Sequence, residues 1–387
     1  MILDGPWRHD PGAVQALEVL SRGGYRALVV GGCVRNAALG EGASDIDIAT
    51  DAPPERVMEL ARAAGLKAVP TGIEHGTVTL VADGRGYEVT TFRRDVETDG
   101  RRAVVAFSDR IEDDAARRDF TMNALYSDAD GLVIDPLGGL DDLMARRVRF
   151  VGEPRARIRE DYLRILRYFR FHAWYGNAED GLDAEALAAS AELAEGIEQL
   201  SAERVGAEMR KLLEAPDPAP AIGAMEQAGI LARILPGASV ATLGVLVHLE
   251  ELAGQAPEAM RRLAALGGEE APRRLRLSRA EAGRLDLLVR SIQGTEGAAE
   301  LAWRHGAAVA RDVELLRAAS YGALLPADLE ARIAKGAAAE FPVRGADLKG
   351  RYEGPGIGVA LRRMEARWIA SGFALDREAL LDGADPE

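Results

Sequence analysis

Leu28-Val29-Val30-Gly31-Gly32-Cys33-Val34-Arg35-Asn36, a short helical stretch to Gly40, and then Ser44-Asp45-Ile46-Asp47-Ile48-Ala49-Thr50 decide the reading of this chain. The first run reads as a buried strand that enters a glycine turn and then a helix. The second reads as a strand, because Ile46 and Ile48 alternate with Asp45 and Asp47. Residues i and i+2 of a strand share a face, so the two carboxylates stand side by side and need cations between them. Hard oxygen donors of this kind suit Mg²⁺, which takes one or two carboxylates together with phosphate oxygens. A glycine turn at a helix N-terminus is where phosphates meet backbone N–H groups. Each half is ordinary by itself: a Gly-Gly pair is often only a tight turn, and Asp-x-Asp a solvated sheet edge. Joined in the order strand, turn, helix, strand, they point to metal-dependent chemistry on a nucleoside triphosphate.

The 387 residues suffice for two to four domains with real cores, and 48% apolar content is that of a globular chain. No run of eighteen apolar residues occurs, so no membrane-spanning helix is expected. Met1 to Asp10 lacks a basic stretch followed by an apolar one, which argues against a secretory signal. The single cysteine, Cys33, excludes an intramolecular disulfide and a cysteine-rich zinc site, and a cytoplasmic location is expected. The net charge of −14 argues against indiscriminate nucleic-acid binding. Locally the balance reverses. Residues 145–170 hold nine arginines against three acidic residues, and a second basic stretch runs from Arg273 to Arg290. Arginine, with its planar fork of donors, favours bidentate recognition of phosphates and base edges, although a solvated helix face has the same composition.

Up to about residue 140 the chain alternates strand-like and helical segments. The expected strands are Ala27–Val30, Asp45–Ala49, Thr77–Val81, Tyr87–Thr91, Ala103–Phe107 and Leu132–Asp135. The expected helices are Pro11–Arg22, Val34–Leu39 and Pro54–Ala64. From Leu140 onward helical periodicity takes over, broken at Asn177–Gly181, Ala215–Pro220, Leu235–Ala238 and Gly267–Pro272. The pattern predicts one mixed α/β domain followed by a nearly all-α remainder, with no internal repeat.

Three further segments carry polar groups suited to a nucleotide. Glu88, in the strand-like Tyr87-Glu88-Val89-Thr90-Thr91-Phe92-Arg93, is a candidate third carboxylate beside Asp45 and Asp47. The polar residues Arg94–Arg102 after it read as a mobile loop next to the site. Arg118, Asp119 and Asn123, in Arg117-Arg118-Asp119-Phe120-Thr121-Met122-Asn123, offer donors and acceptors for a ribose and phosphates. The run Glu160-Asp161-x-x-Arg164-x-x-Arg167-x-x-Arg170 reads as one helix with Asp161 and Arg164 on one face. Cytosine and adenine both present an exocyclic amino group beside a ring acceptor. A carboxylate that only accepts and a guanidinium that only donates match that pair, whereas uracil and guanine mismatch both. An i,i+3 salt bridge is the simpler explanation of the same spacing.

The Gly-Gly turn with its Asp-x-Asp strand resembles the nucleotidyltransferase superfamily of DNA polymerase β. Gly-Gly-x-Val-Arg, Asp-x-Asp, Glu-Val-Thr-Thr-Phe-Arg, Arg-Arg-Asp-Phe-Thr-x-Asn-Ala, Glu-Asp-x-x-Arg-x-x-Arg and Ser201-Ala202-Glu203-Arg204 follow one another over residues 28–213. In that order they are similar to the class II tRNA nucleotidyltransferases, the CCA-adding enzymes. A weaker likeness continues through Leu275-Arg276-Leu277-Ser278 and the segment Val343–Leu348. The resemblance implies an α/β nucleotidyltransferase head with a mixed sheet over residues 1–140. A helical neck with the base-recognition helix (141–215), a helical body (216–320) and a tRNA-binding helical tail (321–387) would follow. It implies that Asp45 and Asp47 bind Mg²⁺ and that Gly31, Gly32 and Arg35 hold the triphosphate. Arg118, Asp119 and Asn123 would contact sugar and phosphates, and Asp161 and Arg164 would read the base with Arg167 and Arg170 beside them. The implied reaction is template-independent addition of C, C and A to a tRNA 3′ end from CTP and ATP, with pyrophosphate released.

The family motif usually ends Val-Arg-Asp, whereas this chain has Asn36, which keeps the shape and loses the charge. Bacterial poly(A) polymerase shares the fold, but its basic, phenylalanine-containing segment after the catalytic strand is replaced here by Thr71-Gly72-Ile73-Glu74-His75-Gly76. Relatives that add only the final A, and a non-catalytic tRNA-binding protein on the same fold, are the other readings. The second is opposed by Asp45, Asp47, Asp161 and Arg164. His9-Asp10 lacks partner histidines and is assigned no role, and no stable protein partner is implied.

Overall fold

The computed structural model describes residues 1–382 apart from Ala43, Gly100, Arg101 and Ala178. The described residues gather into two compact units. One comprises Met1–Ala238 with Glu269–Arg276, and the other Ser239–Gly268 with Leu277–Glu387.

The first unit begins with a seven-stranded mixed sheet. Its strands are β1 (Ala27–Val30), β2 (Asp47–Thr50), β3 (Lys67–Gly72), β4 (Thr77–Ala82), β5 (Arg85–Thr91), β8 (Tyr126–Ser127) and β9 (Val133–Ile134), in the order β3-β4-β5-β2-β1-β8-β9. Only β2 and β5 run parallel; Ile48 lies opposite Val89 and Ala49 opposite Thr90. The antiparallel pair β1–β2 sets Val30 opposite Asp47 and Leu28 opposite Ala49. Cross-strand partners share a face, so Asp47 projects from the face that carries Leu28, Val30 and Ala49. These apolar residues form a core with Phe92, Tyr126, and Ile111 and Ala115 of the helix Ile111–Ala116. Each fully buried side chain of this size contributes about 1.5–3 kcal/mol before the entropy of ordering the chain is counted. The helices α1 (Pro11–Arg22), α2 (Gly32–Leu39), α3 (Pro54–Ala63), α4 (Ile111–Ala116) and α5 (Gly139–Met144) complete this layer.

The segment expected as a mobile loop is instead mostly strand. β6 (Arg93–Asp99) pairs antiparallel with β7 (Arg102–Phe107), Arg93 opposite Phe107 and Asp99 opposite Arg102, in a separate two-stranded sheet. Gly100 and Arg101, also part of that expectation, lie outside the described residues. Backbone pairing to the Ala103–Phe107 run outweighs the polar side chains of Arg93–Asp99 here.

A second correction concerns the run 160–171, expected as one helix. The chain forms α6 (Pro154–Glu160), leaves the helix at Asp161, which is extended at φ −157° and ψ 107°, and restarts as α7 (Leu163–Tyr175). The Asp161 carboxylate accepts from Leu163 N at 3.0 Å, as a capping side chain does, and this satisfies a backbone donor of the new first turn. Asp45 and Ile46 likewise precede β2 rather than belonging to it.

Thereafter the described residues are helical. The first unit continues with α8 (Ala184–Glu192), α9 (Ala202–Leu213), α10 (Ala219–Gln227) and α11 (Ile230–Ile234). Next in the chain come α12 (Ala241–Leu252) and α13 (Ala259–Leu266) of the second unit, and then α14 (Ala271–Arg274), which returns to the first. The second unit also holds α15 (Arg279–Gln293), α16 (Ala298–His305), α17 (Ala307–Tyr321), α18 (Leu329–Ala337), α19 (Pro355–Ala370) and α20 (Arg377–Asp382). Inside it Arg261 bonds Glu250 and Asp312, each at 2.7 Å, and Arg262 bonds Glu250 at 2.8 Å. Buried pairs of this kind break roughly even against apolar replacements, whereas removing one partner strands the other and is strongly destabilising.

Candidate active site

Gly31, at φ 76° and ψ −126°, occupies a conformation that an L side chain avoids, and it turns β1 into α2. A Cβ added there would lie 3.5 Å from Nη1 of Arg118 and 3.9 Å from the carbonyl of Asn123. At Gly32 it would lie 3.2 Å from Oγ of Ser44, a buried hydroxyl without a hydrogen-bond partner among the described residues. The turn is thus bare, bordered by a guanidinium and a free hydroxyl. Sequence reasoning missed Ser44, which bears no signal beyond its place before Asp45.

Beside the turn is a cavity of about 800 Å³ lined by Ser44, Asp45, Asp47, Tyr87 and Glu88 among others. Among the described residues none of Asp45, Asp47 and Glu88 forms an ion pair. Asp47 has its pKa pushed up to about 6, because partial burial, Glu88 and Asp45 all disfavour its charge while Arg118 opposes them. Crowded, uncompensated carboxylates are the donor set a divalent cation fits. Glu88 enters as a neighbouring charge. Among the described residues no three His, Cys, Asp or Glu side chains converge as a metal-binding group, so the expected three-carboxylate cluster is not formed. Asp10 lies in the same cavity wall, where it caps α1 and accepts from Tyr87 Oη at 2.5 Å. His9 bonds Asp4 instead, at 2.7 Å.

Arg118 is aimed from behind. Its Nη2 donates to Asp114 Oδ2 at 2.9 Å and its Nε to Tyr126 Oη at 3.2 Å, while Tyr126 donates to Asp114 at 2.7 Å. Burial alone would raise the Asp114 pKa, but Arg118 and Arg117 outweigh it and hold the group at about 2. Neither Asp114 nor Tyr126 was anticipated: Asp114 is one of three consecutive acidic residues, Glu112 to Asp114, and nothing in the sequence marks which of them packs against Tyr126.

Arg35 was expected to hold phosphates, yet its guanidinium is buried and already engaged. It donates to Asn123 Oδ1 at 2.5 Å, Tyr175 Oη at 2.7 Å and Asn36 Oδ1 at 2.9 Å, and lies 3.9 Å from the Tyr175 ring centroid. All three acceptors are neutral, and burial pulls the Arg35 pKa down. Asn36 uses its other end as well: Nδ2 donates to the Gly42 carbonyl at 3.0 Å, tying the segment that leads to Asp45 back onto α2. An aspartate could not make that bond.

Asp119 accepts from Asn123 Nδ2 at 2.9 Å, Phe120 N at 2.9 Å and Arg167 Nε at 2.8 Å. Burial would raise its pKa, but Arg167 and Asn123 hold it at about 2. Arg170 bonds Glu208 at 2.5 Å. Arg167 and Arg170 are therefore struts within the first unit. Asp161 and Arg164, expected as partners, are bonded elsewhere: Asp161 accepts from Arg204 at 2.6 Å, and Arg164 donates to Glu160 at 2.5 Å and to the Arg157 carbonyl at 3.0 Å. The helix break at Asp161 turns its side chain away from the i,i+3 position. Arg204, quoted in the motif Ser201–Arg204 without a role, is the residue that holds it.

The Asp114 cluster predicts a pH signature. Its folded pKa, about 2, lies below the ordinary 3.8, so its stabilisation is whole above the unfolded value and is lost as pH falls toward 2. Over that window it amounts to roughly 2 kcal/mol. Asp114→Asn should be destabilised by about 3–5 kcal/mol near pH 7, where two guanidiniums lose their partner, and less so below pH ~3. Urea unfolding of both proteins between pH 7 and 2.5 measures the gap; one that stays constant across the series would contradict the assignment.

Residues 27–149 match the family described as "Poly A polymerase head domain", and residues 181–242 the one described as "Probable RNA and SrmB- binding site of polymerase A". The mouse protein "CCA tRNA nucleotidyltransferase 1, mitochondrial" is 32% identical over 391 residues, spanning 94% of this chain and 87% of the relative. The "CCA-adding enzyme" of Geobacillus thermodenitrificans is 41% identical over 227 residues, 58% of this chain and 54% of its own. Among solved structures, the Bacillus stearothermophilus CCA-adding enzyme in complex with CTP superimposes with a TM-score of 0.70 at 30% identity, covering 95% of this chain and 93% of that one. Identity of this level over nearly the whole chain, on a head with the glycine turn and carboxylates described above, makes this chain a member of the CCA tRNA nucleotidyltransferase family.

Proposed function

We propose that this chain is a CCA tRNA nucleotidyltransferase, which adds C, C and then A to tRNA 3′ ends from CTP and ATP without a nucleic-acid template and releases pyrophosphate. The observation that carries this reading is the uncompensated pair Asp45 and Asp47 beside the bare Gly31-Gly32 turn, with Arg118 at 3.5 Å from the position of a Gly31 Cβ. The tRNA 3′-hydroxyl attacks the α-phosphate, and pyrophosphate leaves. Asp45 and Asp47 would hold Mg²⁺, which would supply activation of the hydroxyl and stabilisation of charge on the phosphate oxygens. The N–H groups at the start of α2, the Ser44 hydroxyl and Arg118 receive the triphosphate. Arg35, Asn123, Asp119 and Arg167 keep the turn and α7 in register. The head, neck, body and tail divide near residues 140, 215 and 320 in this reading, and the cytoplasm is its compartment, with the mitochondrial name of the mouse relative giving the other address.

Sequencing of the 3′ ends made from tRNA that stops at the discriminator base, at CC, or at CCA tests the activity. The wild type should extend the first by CCA and the second by A, and leave the third unchanged. Asp45→Ala and Asp47→Ala should abolish addition and leave tRNA binding nearly intact. Turnover near the wild-type rate in either variant would remove the carboxylates from the chemistry.

Asp161 and Arg164 form the base reader in this proposal, exchanging Arg204 and Glu160 for the amino group and ring nitrogen of cytosine or adenine. Replacing either by Ala should relax rejection of UTP and GTP by about 1–3 kcal/mol, as for other bidentate base contacts. kcat/KM for all four nucleotides gives the answer, and unchanged discrimination in both variants would leave the pair as structural struts.

Asn36→Asp separates stability from activity. The carboxylate gives buried Arg35 an ionic partner, so the unfolding midpoint should rise. It also removes the bond to the Gly42 carbonyl, and the addition rate should fall roughly 2- to 10-fold, the scale of one neutral hydrogen bond. A variant with an unchanged rate would show that the Gly42 tether does not position Asp45.

A further inference from the structure

Away from the active site, the first unit carries a second cavity of about 460 Å³ whose lining includes Arg233, Arg273, Arg274 and Arg276 and, as its only acidic residue, Glu198. Ile197, Leu200, Val205 and Ile234 form its apolar part. Arg273, Arg274 and Arg276 belong to the short excursion Glu269–Arg276, which is seated on α9 by close backbone contact: a Cβ on Gly206 would lie 1.9 Å from the Leu275 carbonyl oxygen. No side chain other than hydrogen fits at 206 without moving this turn. The excursion is further held by Glu269 N donating to the Pro236 carbonyl at 2.8 Å. Glu270 and Arg276 at its two ends take positive φ, 53° and 48°, a backbone choice that costs energy in a non-glycine residue and that the surrounding contacts maintain.

The four guanidiniums are not equivalent. Arg233 pairs with Glu198, Arg273 with Glu270 at 2.5 Å, and Arg276 with Glu203 at 3.2 Å. Arg273 and Arg276 are well exposed, with 71% and 67% of their side chains accessible, so their pairs are weak and exchange readily for another anion. Arg274 has no ion pair among the described residues, and its Nε is buried without a hydrogen-bond partner. A half-buried guanidinium without a carboxylate, in a rigidly seated turn among three weakly paired ones, is a cation waiting for an anion.

We propose that this cavity is a phosphodiester-binding subsite for the RNA substrate, separate from the catalytic cavity, with Arg274 as its central contact. The proposal rests on the tRNA-directed reading above. RNA is favoured over a free nucleotide for two reasons. Part of the wall, Ile197 to Ile234, lies within residues 181–242, the segment that matches the family described as a probable RNA-binding site. The chain as a whole has a net charge of −14, so a polyanion needs local basic surfaces to approach it, and this cavity is one. Its apolar part suits the ribose between successive phosphates.

Fluorescence anisotropy of labelled tRNA lacking CCA, titrated at several salt concentrations, tests the subsite without relying on catalysis. Arg274→Ala should weaken binding 5- to 10-fold at low salt and reduce the slope of log Kd against log salt by about 0.7–0.9, the value for one phosphate contact. Arg274→Lys should recover part of the affinity. Arg22→Ala, which removes an exposed arginine paired with Glu18 on α1, should change neither quantity. KM for CTP should stay within two-fold in every variant. The proposal is overturned if Arg274→Ala binds tRNA with wild-type affinity and slope, or if Arg22→Ala weakens binding equally. It is also overturned if inorganic phosphate raises the melting temperature of the wild type but not of Arg274→Ala while their tRNA affinities agree, since the cavity would then take a small anion. A wild type that binds tRNA but fails to extend it would instead sink the catalytic reading and leave the subsite standing.

Discussion

The buried carboxylate of Asp119 is the fastening on which the first unit depends. It receives Arg167 from α7 and Asn123 from its own segment, and Asn123 in turn receives Arg35 from α2, which reaches Tyr175 back on α7. The loop closes on itself. Two elements more than 120 residues apart in sequence are joined by two routes, one through Asp119 and one through Tyr175. Breaking a buried charged link of this kind costs about 3–5 kcal/mol, because the remaining partner is stranded without water. The Gly31-Gly32 turn begins α2, and α7 starts just after Asp161 and carries Arg164 in its first turn. The closed loop therefore sets the distance between the glycine turn and the Asp161–Arg164 segment, the proposed places for a triphosphate and a base, and it does so with neutral acceptors around Arg35 rather than a second carboxylate.

That arrangement also explains why the two proposed base readers are held by other residues. A free carboxylate and a free guanidinium in a half-buried site would pair with each other, and a paired donor and acceptor offers nothing to a base. The break in the helix at Asp161 prevents this. It sends Asp161 to Arg204 on α9 and Arg164 back to Glu160 on α6, so that each keeps a partner of its own and neither quenches the other. Exchanging such a pair for a nucleobase conserves the number of charge-assisted bonds, and the net energy then depends on the fit of the base.

Legibility in the sequence followed the range of the forces involved. The helix Pro11–Arg22 and the strand Ala27–Val30 could be bounded from pattern to the residue, because a proline at the first turn and an unbroken apolar run are local signals. The carboxylates and the glycine turn lie close in sequence and were picked out from it, although the strand expected from Asp45 begins only at Asp47. The hairpin β6–β7 was read as a loop because the charges of Arg93–Asp99 hide a pairing whose partner strand lies beyond it. The restart of α7 was hidden because arginines stand on both sides of the break, Arg157 and Arg159 before it and Arg164, Arg167 and Arg170 after it. Tyr175, 140 residues from Arg35, and Ser44, defined only by its approach to Gly32, were beyond any local pattern. Contacts made by tertiary packing leave no period in the chain.

A protein with a net charge of −14 that handles two polyanions must arrange its charge by place rather than by total. Most of its arginines are spent internally: Arg117 and Arg118 on Asp114, Arg167 on Asp119, Arg170 on Glu208, Arg261 and Arg262 on Glu250. Such pairs have short-range fields and attract little at a distance. What acts on an approaching ligand is the residue left over after pairing. On the negative side these are Asp45 and Asp47, with Glu88 as a neighbouring charge; burial first, then Glu88 and Asp45, push Asp47 up to about 6, and such carboxylates suit a divalent cation better than a bare triphosphate. On the positive side the example is Arg274, which has no ion pair among the described residues, whereas Arg35 is buried and bonded to Asn123, Tyr175 and Asn36. In the proposed reading an anion that brings its own divalent cation satisfies the carboxylates and Arg118 at the head, while a phosphodiester without one goes to the arginine cavity. Charge placement of this kind lets one acidic chain separate a metal-bound triphosphate from an RNA backbone by their charge and not by their shape.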